Sequence, residues 1–98
     1  MPRPRKFRQI AGEPVERFYK PQGVRMRELK HLILKHDQLE ALRLADMEQL
    51  DQESAALKMN ISRSTFSRLV NEARNIVAEA LVKGWALKIE GGDFEVRS

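Results

Sequence analysis

No cysteine occurs in the sequence, which excludes disulfides and thiolate metal sites and suits a reducing compartment such as the cytoplasm. Long apolar runs are missing too. None approaches the roughly 20 residues that a membrane-spanning helix needs, and the basic N-terminus has no apolar stretch of the signal-peptide kind. Histidine is scarce. His31 and His36 do not share a helical face, and Asp37 alone adds little to a metal site. No nucleophile–base pair or phosphate loop has recognisable spacing. These absences give the expectation of a protein that is not an enzyme and uses no cofactor. With 98 residues, 42% apolar and 33% charged, the chain suits one small soluble domain with a modest core.

Acidic residues are scarce in one place. The first thirty residues hold nine Lys and Arg against three Glu, whereas 51–82 holds four of each sign. The formal net charge of +4 and the sequence pI near 9.8 therefore come from the N-terminal third. An anionic partner fits that excess, and phosphate neutralisation is the main source of non-specific DNA affinity. The Pro- and cation-rich start, with Arg3, Arg5, Lys6 and Arg8, reads as an extended arm. It could follow a phosphate track or enter a minor groove, or it could be a solubilising tail.

What is there centres on Asp51 to Leu81. Asp51 is a candidate N-cap, Glu53 complements the helix dipole, and Ala55 and Ala56 are small enough for close helix crossing. Asn60, flanked by Met59 and Ile61, suits a left-handed turn residue. Ser62 is the next cap. After it, Phe66, Leu69, Val70, Ala73, Ile76, Val77, Ala80 and Leu81 recur at helical steps, and Gly84 is a fitting stop. The opposite arc carries Ser64, Ser67, Arg68, Asn71 and Asn75, with Arg63 at its start. Arg pairs with guanine, Asn with adenine and hydroxyls with either. A plain solvated face has the same look. The short turn between two capped helices favours a helix-turn-helix.

The remaining chain is organised around that unit. Residues 1–25 form the partly extended basic arm, with a short strand over Phe7–Ile10. Pro14 and Pro21 bracket irregular chain that docks Val15, Phe18 and Tyr19 on the body. Residues 26–83 are the helical domain. Met26 to Leu34 is a short helix or an extended approach, followed by a helix over Asp37–Leu50 with Leu39, Leu42, Leu44 and Ala45 inward. Lys35 is a poor N-cap for that helix. Residues 84–98 alternate, with Leu87 and Ile89 before Gly91-Gly92 and Phe94 and Val96 after, which predicts a β-hairpin. The fold class expected is mainly α: a three-helix core with a helix-turn-helix, plus a small C-terminal hairpin open to pairing with the N-terminal strand.

Several stretches together resemble a widespread prokaryotic family of small uncharacterised proteins described as predicted DNA-binding proteins. They are the Met-Pro-Arg-Pro start, Phe18-Tyr-Lys-Pro-Gln-Gly, Leu39-Glu-Ala-Leu-Arg-Leu-Ala-Asp, the Ala55–Arg74 block and Ala86-Leu-Lys-Ile-Glu-Gly-Gly. The middle, from about Leu34 to Leu81, is also similar to the region-four DNA-binding domain of sigma factors. That resemblance implies that Arg63, Ser64, Ser67, Arg68 and Asn71 face a major groove. The sequence departs from it at Lys35, where a hydroxyl cap is usual, and at Asn60, where Gly is usual. Trp85 stands where a polar residue is expected and offers an apolar contact.

The expectation is therefore sequence-specific binding of double-stranded DNA by a cytoplasmic, nucleoid-associated transcriptional regulator. Arg63, Ser64, Ser67, Arg68 and Asn71 would read bases. Arg3, Arg5, Lys6, Arg8, Lys58 and Arg74 would hold phosphates. A homodimer on two half-sites is the expected assembly. A protein-interaction module that contacts RNA polymerase or another regulator is the alternative, favoured by the neutral charge of 51–82.

Overall fold

Two capped helices joined by Asn60-Ile61-Ser62 form the centre of the computed structural model, which describes residues 7–14 and 16–97. In chain order the elements are β1 (Arg8–Ala11), β2 (Arg17–Tyr19), a 3-10 turn (Met26–Glu28), β3 (His31–Leu34) and α1 (His36–Leu42). A π-helical continuation (Arg43–Met47), α2 (Gln52–Met59), α3 (Arg63–Lys83), β4 (Ala86–Ile89) and β5 (Phe94–Arg97) follow. The class is mainly α, with three helices and small strands, as expected. None of the described helices is long and apolar enough to cross a membrane.

The caps explain where the central helices begin and end. The Asp51 carboxylate accepts from the Ser54 N–H at 2.8 Å, and the Ser62 hydroxyl accepts from the Thr65 N–H at 3.1 Å. Asn60 adopts φ 57°, ψ 45°, the left-handed turn that its short amide tolerates, and Gly84 closes α3 at φ 67°. The turn lets Ala55, Ala56 and Met59 of α2 meet Phe66, Leu69 and Val70 of α3 in one cluster with Ala41 and Leu44. Small side chains at 55 and 56 leave room for the Phe66 ring, which is wholly buried. A second cluster joins Leu34, Ala73 and Ile89, with Leu39, Leu42, Ile76, Val77 and Leu87 around it.

The strands differ from the expected hairpin. β4 and β5 do not pair with each other. β4 is the middle strand of a three-stranded sheet, antiparallel to β2 and parallel to β3. β5 pairs in parallel with β1, so the N-terminal strand does meet the C-terminal segment. The reason lies at Gly91-Gly92. The Gly91 carbonyl accepts the His36 N–H at 2.9 Å, and Gly92, at φ 111°, lies against the first turn of α1. A Cβ at Gly92 would stand 2.6 Å from Asp37 Oδ1. The two glycines thus carry the chain tightly over the start of α1 instead of reversing it.

This crossing also accounts for Lys35. Its own side chain makes no cap, but its N–H donates to Gln38 Oε1 at 2.9 Å while Gly91 takes the next donor. Three further expectations change. The segment between Pro14 and Pro21 contains a strand, not irregular chain alone, because β4 offers it an edge. Phe18 and Tyr19 remain about half exposed and do not anchor the arm, whereas Val15 lies outside the described residues. The helix expected to Leu50 widens to π-helical geometry after Leu42 and ends earlier, with Gln49 at φ 57°.

The tight crossing predicts a difference between two glycines that both have positive φ. Gly92→Ala should lower the unfolding free energy by clearly more than about 1 kcal/mol. Gly12→Ala, with no atom near its Cβ position, should cost only the backbone strain. Urea unfolding followed by circular dichroism measures both, and equal losses would contradict the close approach.

Candidate nucleic-acid interface

One-sided burial of α3 builds the candidate surface. Phe66, Leu69, Val70 and Ala73 are sealed inside, so the residues between them turn outward. Arg63, Ser64, Arg68 and Asn71 are exposed and Ser67 is half-buried at the edge. The structure therefore gathers all five expected base-reading residues along the N-terminal half of α3. Leu81 departs from the expected apolar stripe: it is 78% exposed, because the buried side of α3 ends with Ala80.

Hydrogen bonding divides the five. Arg63, Ser67 and Asn71 have no side-chain partner among the described residues. The Ser64 hydroxyl lies 3.2 Å from the capping Ser62 hydroxyl. Arg68 pairs with Glu72, one helical turn on, at 3.3 Å. Glu72 in turn accepts from the Nε2 of the buried Gln38 at 3.3 Å, so α1 steadies the carboxylate that steadies Arg68. Nothing in the sequence singles out Gln38, since a glutamine at the start of a helix looks like ordinary capping.

The cations expected on phosphate fare differently. Arg74 is exposed but makes a two-pronged contact with Asp46, at 2.7 and 3.1 Å, from α3 to the π-helical segment. That hydrogen bond holds the Asp46 carboxyl below its ordinary range and raises the Arg74 guanidinium. Lys58 is exposed on the last turn of α2 and is also partnered. Arg3, Arg5 and Lys6 lie outside the described residues.

Arg8 is a correction to the expectation of a solvent-facing arm. It is 8% exposed, 3.3 Å from Asp93 and 3.9 Å from the buried Asp37. Pairing of β1 with β5 pulls it inward, where it balances two carboxylates at the glycine crossing. Its Nε finds no acceptor among the described residues. Nearby, buried Glu40 accepts the Ala11 N–H at 3.0 Å and both prongs of Arg43, tying β1 to α1. Among the described residues, no group of His, Asp and Glu is placed to hold a metal ion.

The chain belongs to the family described as protein of unknown function DUF134, whose pattern matches residues 1–97. It is 55% identical over 92 residues to a UPF0251 protein of Rhodospirillum rubrum, covering 94% of this chain and 64% of that relative. To a UPF0251 protein of Desulfosudis oleivorans it is 51% identical over 94 residues, covering 96% and 68% respectively. A third relative, from Thermoanaerobacter pseudethanolicus, is 49% identical over 96 residues, covering 98% and 81%. The chain thus spans less than two thirds of the Rhodospirillum relative's length. No solved structure matches the chain.

Two variants test the ion pairs. Arg8→Ala strands buried Asp37 and should cost about 3 kcal/mol of stability, read from the urea midpoint. Asp46→Asn should cost under about 1 kcal/mol near neutral pH, because both partners are half exposed and water screens them. A lowered folded pKa adds stability that is complete above the unfolded carboxyl value of about 4 and fades as pH falls through the folded value. The gap between wild type and Asp46→Asn should therefore close in acid and stay open from pH 5 upward; a gap that widens in acid would reverse the assigned sign.

Proposed function

We propose that this member of the DUF134 family binds double-stranded DNA sequence-specifically and acts as a transcriptional regulator. The observation that carries the reading is the outward side of α3's first half. Arg63, Ser67 and Asn71 offer donors and acceptors with no side-chain partner among the described residues, beside Ser64 and Arg68, on a helix whose other side packs on the core. A helix of this kind fits a major groove, and its N-terminal residues are the ones that reach base edges. In this reading Arg63, Ser64, Ser67, Arg68 and Asn71 meet bases. Lys58, Arg74 and the Arg3, Arg5 and Lys6 cations meet phosphates. Arg8 belongs to the fold and is left out.

Glu72 and Asp46 then have positioning roles. Each holds an arginine in one geometry, which reduces the entropy lost when a bidentate contact forms. The same pairs also favour a second reading. With Arg68 and Arg74 neutralised internally, the surface could meet a protein such as RNA polymerase instead of a polyanion.

Duplex binding measured by anisotropy across salt concentrations separates the two. Neutralisation of about five phosphates gives a slope of about −4 to −5 in log K against log salt. Arg68→Ala should weaken preferred duplexes by roughly tenfold or more and leave random duplexes little changed, whereas Arg5→Ala should weaken all alike. A flat salt response would reject DNA binding, and equal losses from Arg68→Ala on every sequence would reject base reading.

A further inference from the structure

A cleft of about 220 Å³ lies beside α1, between β1, the chain that follows it and the start of β2. Among the described residues, none of α3 lines it. Ile10, Pro14 and Leu39 give it an apolar side. Part of its polar lining is already committed: the Glu40 carboxylate takes the Ala11 N–H and both prongs of Arg43. Three other side chains are not. His36 is only 7% exposed, lines the cleft, and its ring nitrogens have no hydrogen-bond partner among the described residues. Phe94 holds the ring edge-on, with centroids 5.1 Å apart, and the Gly91 carbonyl accepts its backbone N–H. A buried polar group without a partner is disfavoured, so one that lines a cleft marks a place for a bond from outside the protein. Glu13 and Arg17 line the same cleft, are exposed, and make no ion pair with each other or with another described residue. Arg17 stands opposite Ile89 in the sheet and so shares the face that packs on Leu39.

We propose that this cleft binds a free α-amino acid with a short apolar side chain. Arg17 takes the carboxylate in a two-pronged contact, and an N–H of the His36 ring donates to the same group. Glu13, of opposite charge, meets the ammonium. The ligand's side chain lies on Ile10, Pro14 and Leu39. Size agrees. A water molecule takes about 30 Å³ in the liquid, so the cleft suits roughly seven to ten non-hydrogen atoms, about the size of leucine. Charge decides among other small ligands. Arg43 already neutralises Glu40, so one cation and one anion remain free in the lining, the complement of a zwitterion. A plain carboxylate would set Glu13 beside an anion. A plain amine would leave Arg17 and His36 unmatched. A phosphate or a dicarboxylate would add further negative charge against Glu13.

Binding is measured without DNA, so its failure and the failure of the DNA-binding reading are distinguishable. L-leucine is titrated into the full chain and followed in the amide NMR spectrum. The Kd should be about 0.01–1 mM, and the resonances of Ala11, Arg17 and Leu39 should move while that of Trp85 stays still. The analogue 4-methylpentanoate lacks the ammonium and 3-methylbutylamine lacks the carboxylate. Each should bind at least tenfold more weakly. Arg17→Ala and Glu13→Gln, both at exposed positions, should keep the wild-type circular dichroism and weaken leucine at least tenfold. Arg25→Ala, exposed and outside the cleft, should bind like wild type. No movement up to about 10 mM leucine, or undiminished binding in both cleft variants, would overturn the proposal. So would 4-methylpentanoate binding as tightly as leucine, which would leave Glu13 without a role.

Discussion

Phe66, Val70 and Ala73 press one side of α3 against α1, α2 and β3, and most of the molecule follows from that contact. Burial of a continuous apolar side fixes the rotation of the helix about its own axis. Once the rotation is fixed, the direction of every outward residue is fixed too. Each buried large side chain contributes roughly 1.5–3 kcal/mol. Rotating α3 to bring Arg68 or Asn71 inward would forfeit several such contributions and desolvate polar groups as well. The surface available to a partner is therefore a consequence of the core.

Charge is handled in pairs across this surface. Arg68 leans on Glu72, which Gln38 supports from α1, and Arg74 leans on Asp46. Arg43 grips the buried Glu40, and that hydrogen bond raises its pKa. These contacts add little stability where they are half exposed. Their larger effect is to restrict long flexible side chains to one or two arrangements. The region is close to neutral for the same reason. If it meets DNA, attraction at long range must come mainly from the N-terminal cations, while α3 supplies shape and hydrogen bonding.

The two ends of the chain close the fold together. β1 pairs with β5, while β4 lies between β2 and β3, so strands from the first third and the last fifteen residues share both sheets. The passage from one sheet to the other crosses the first turn of α1. There Gly91 accepts a helix N–H, Gly92 allows contact with Asp37, and Arg8 balances Asp37 and Asp93. A helix whose N-cap position holds a lysine is thus capped by chain from the far end of the sequence.

The sequence by itself determined the helices around the turn. Their signals are local: Asp51 and Ser62 as caps, Asn60 and Gly84 in left-handed turns, and an apolar step of three and four between them. Caps and periodicity act within a few residues, so they can be read in order along the chain, and the five outward residues of α3 could be read with them. Tertiary structure alone decided the rest. The partner of β4, the burial of Arg8, the role of Gln38 and the exposure of Leu81 depend on which distant segments meet. Gly91-Gly92 illustrates the divide. As a dipeptide it permits a reversal, and only the presence of α1 beneath it makes a crossing the lower-energy path.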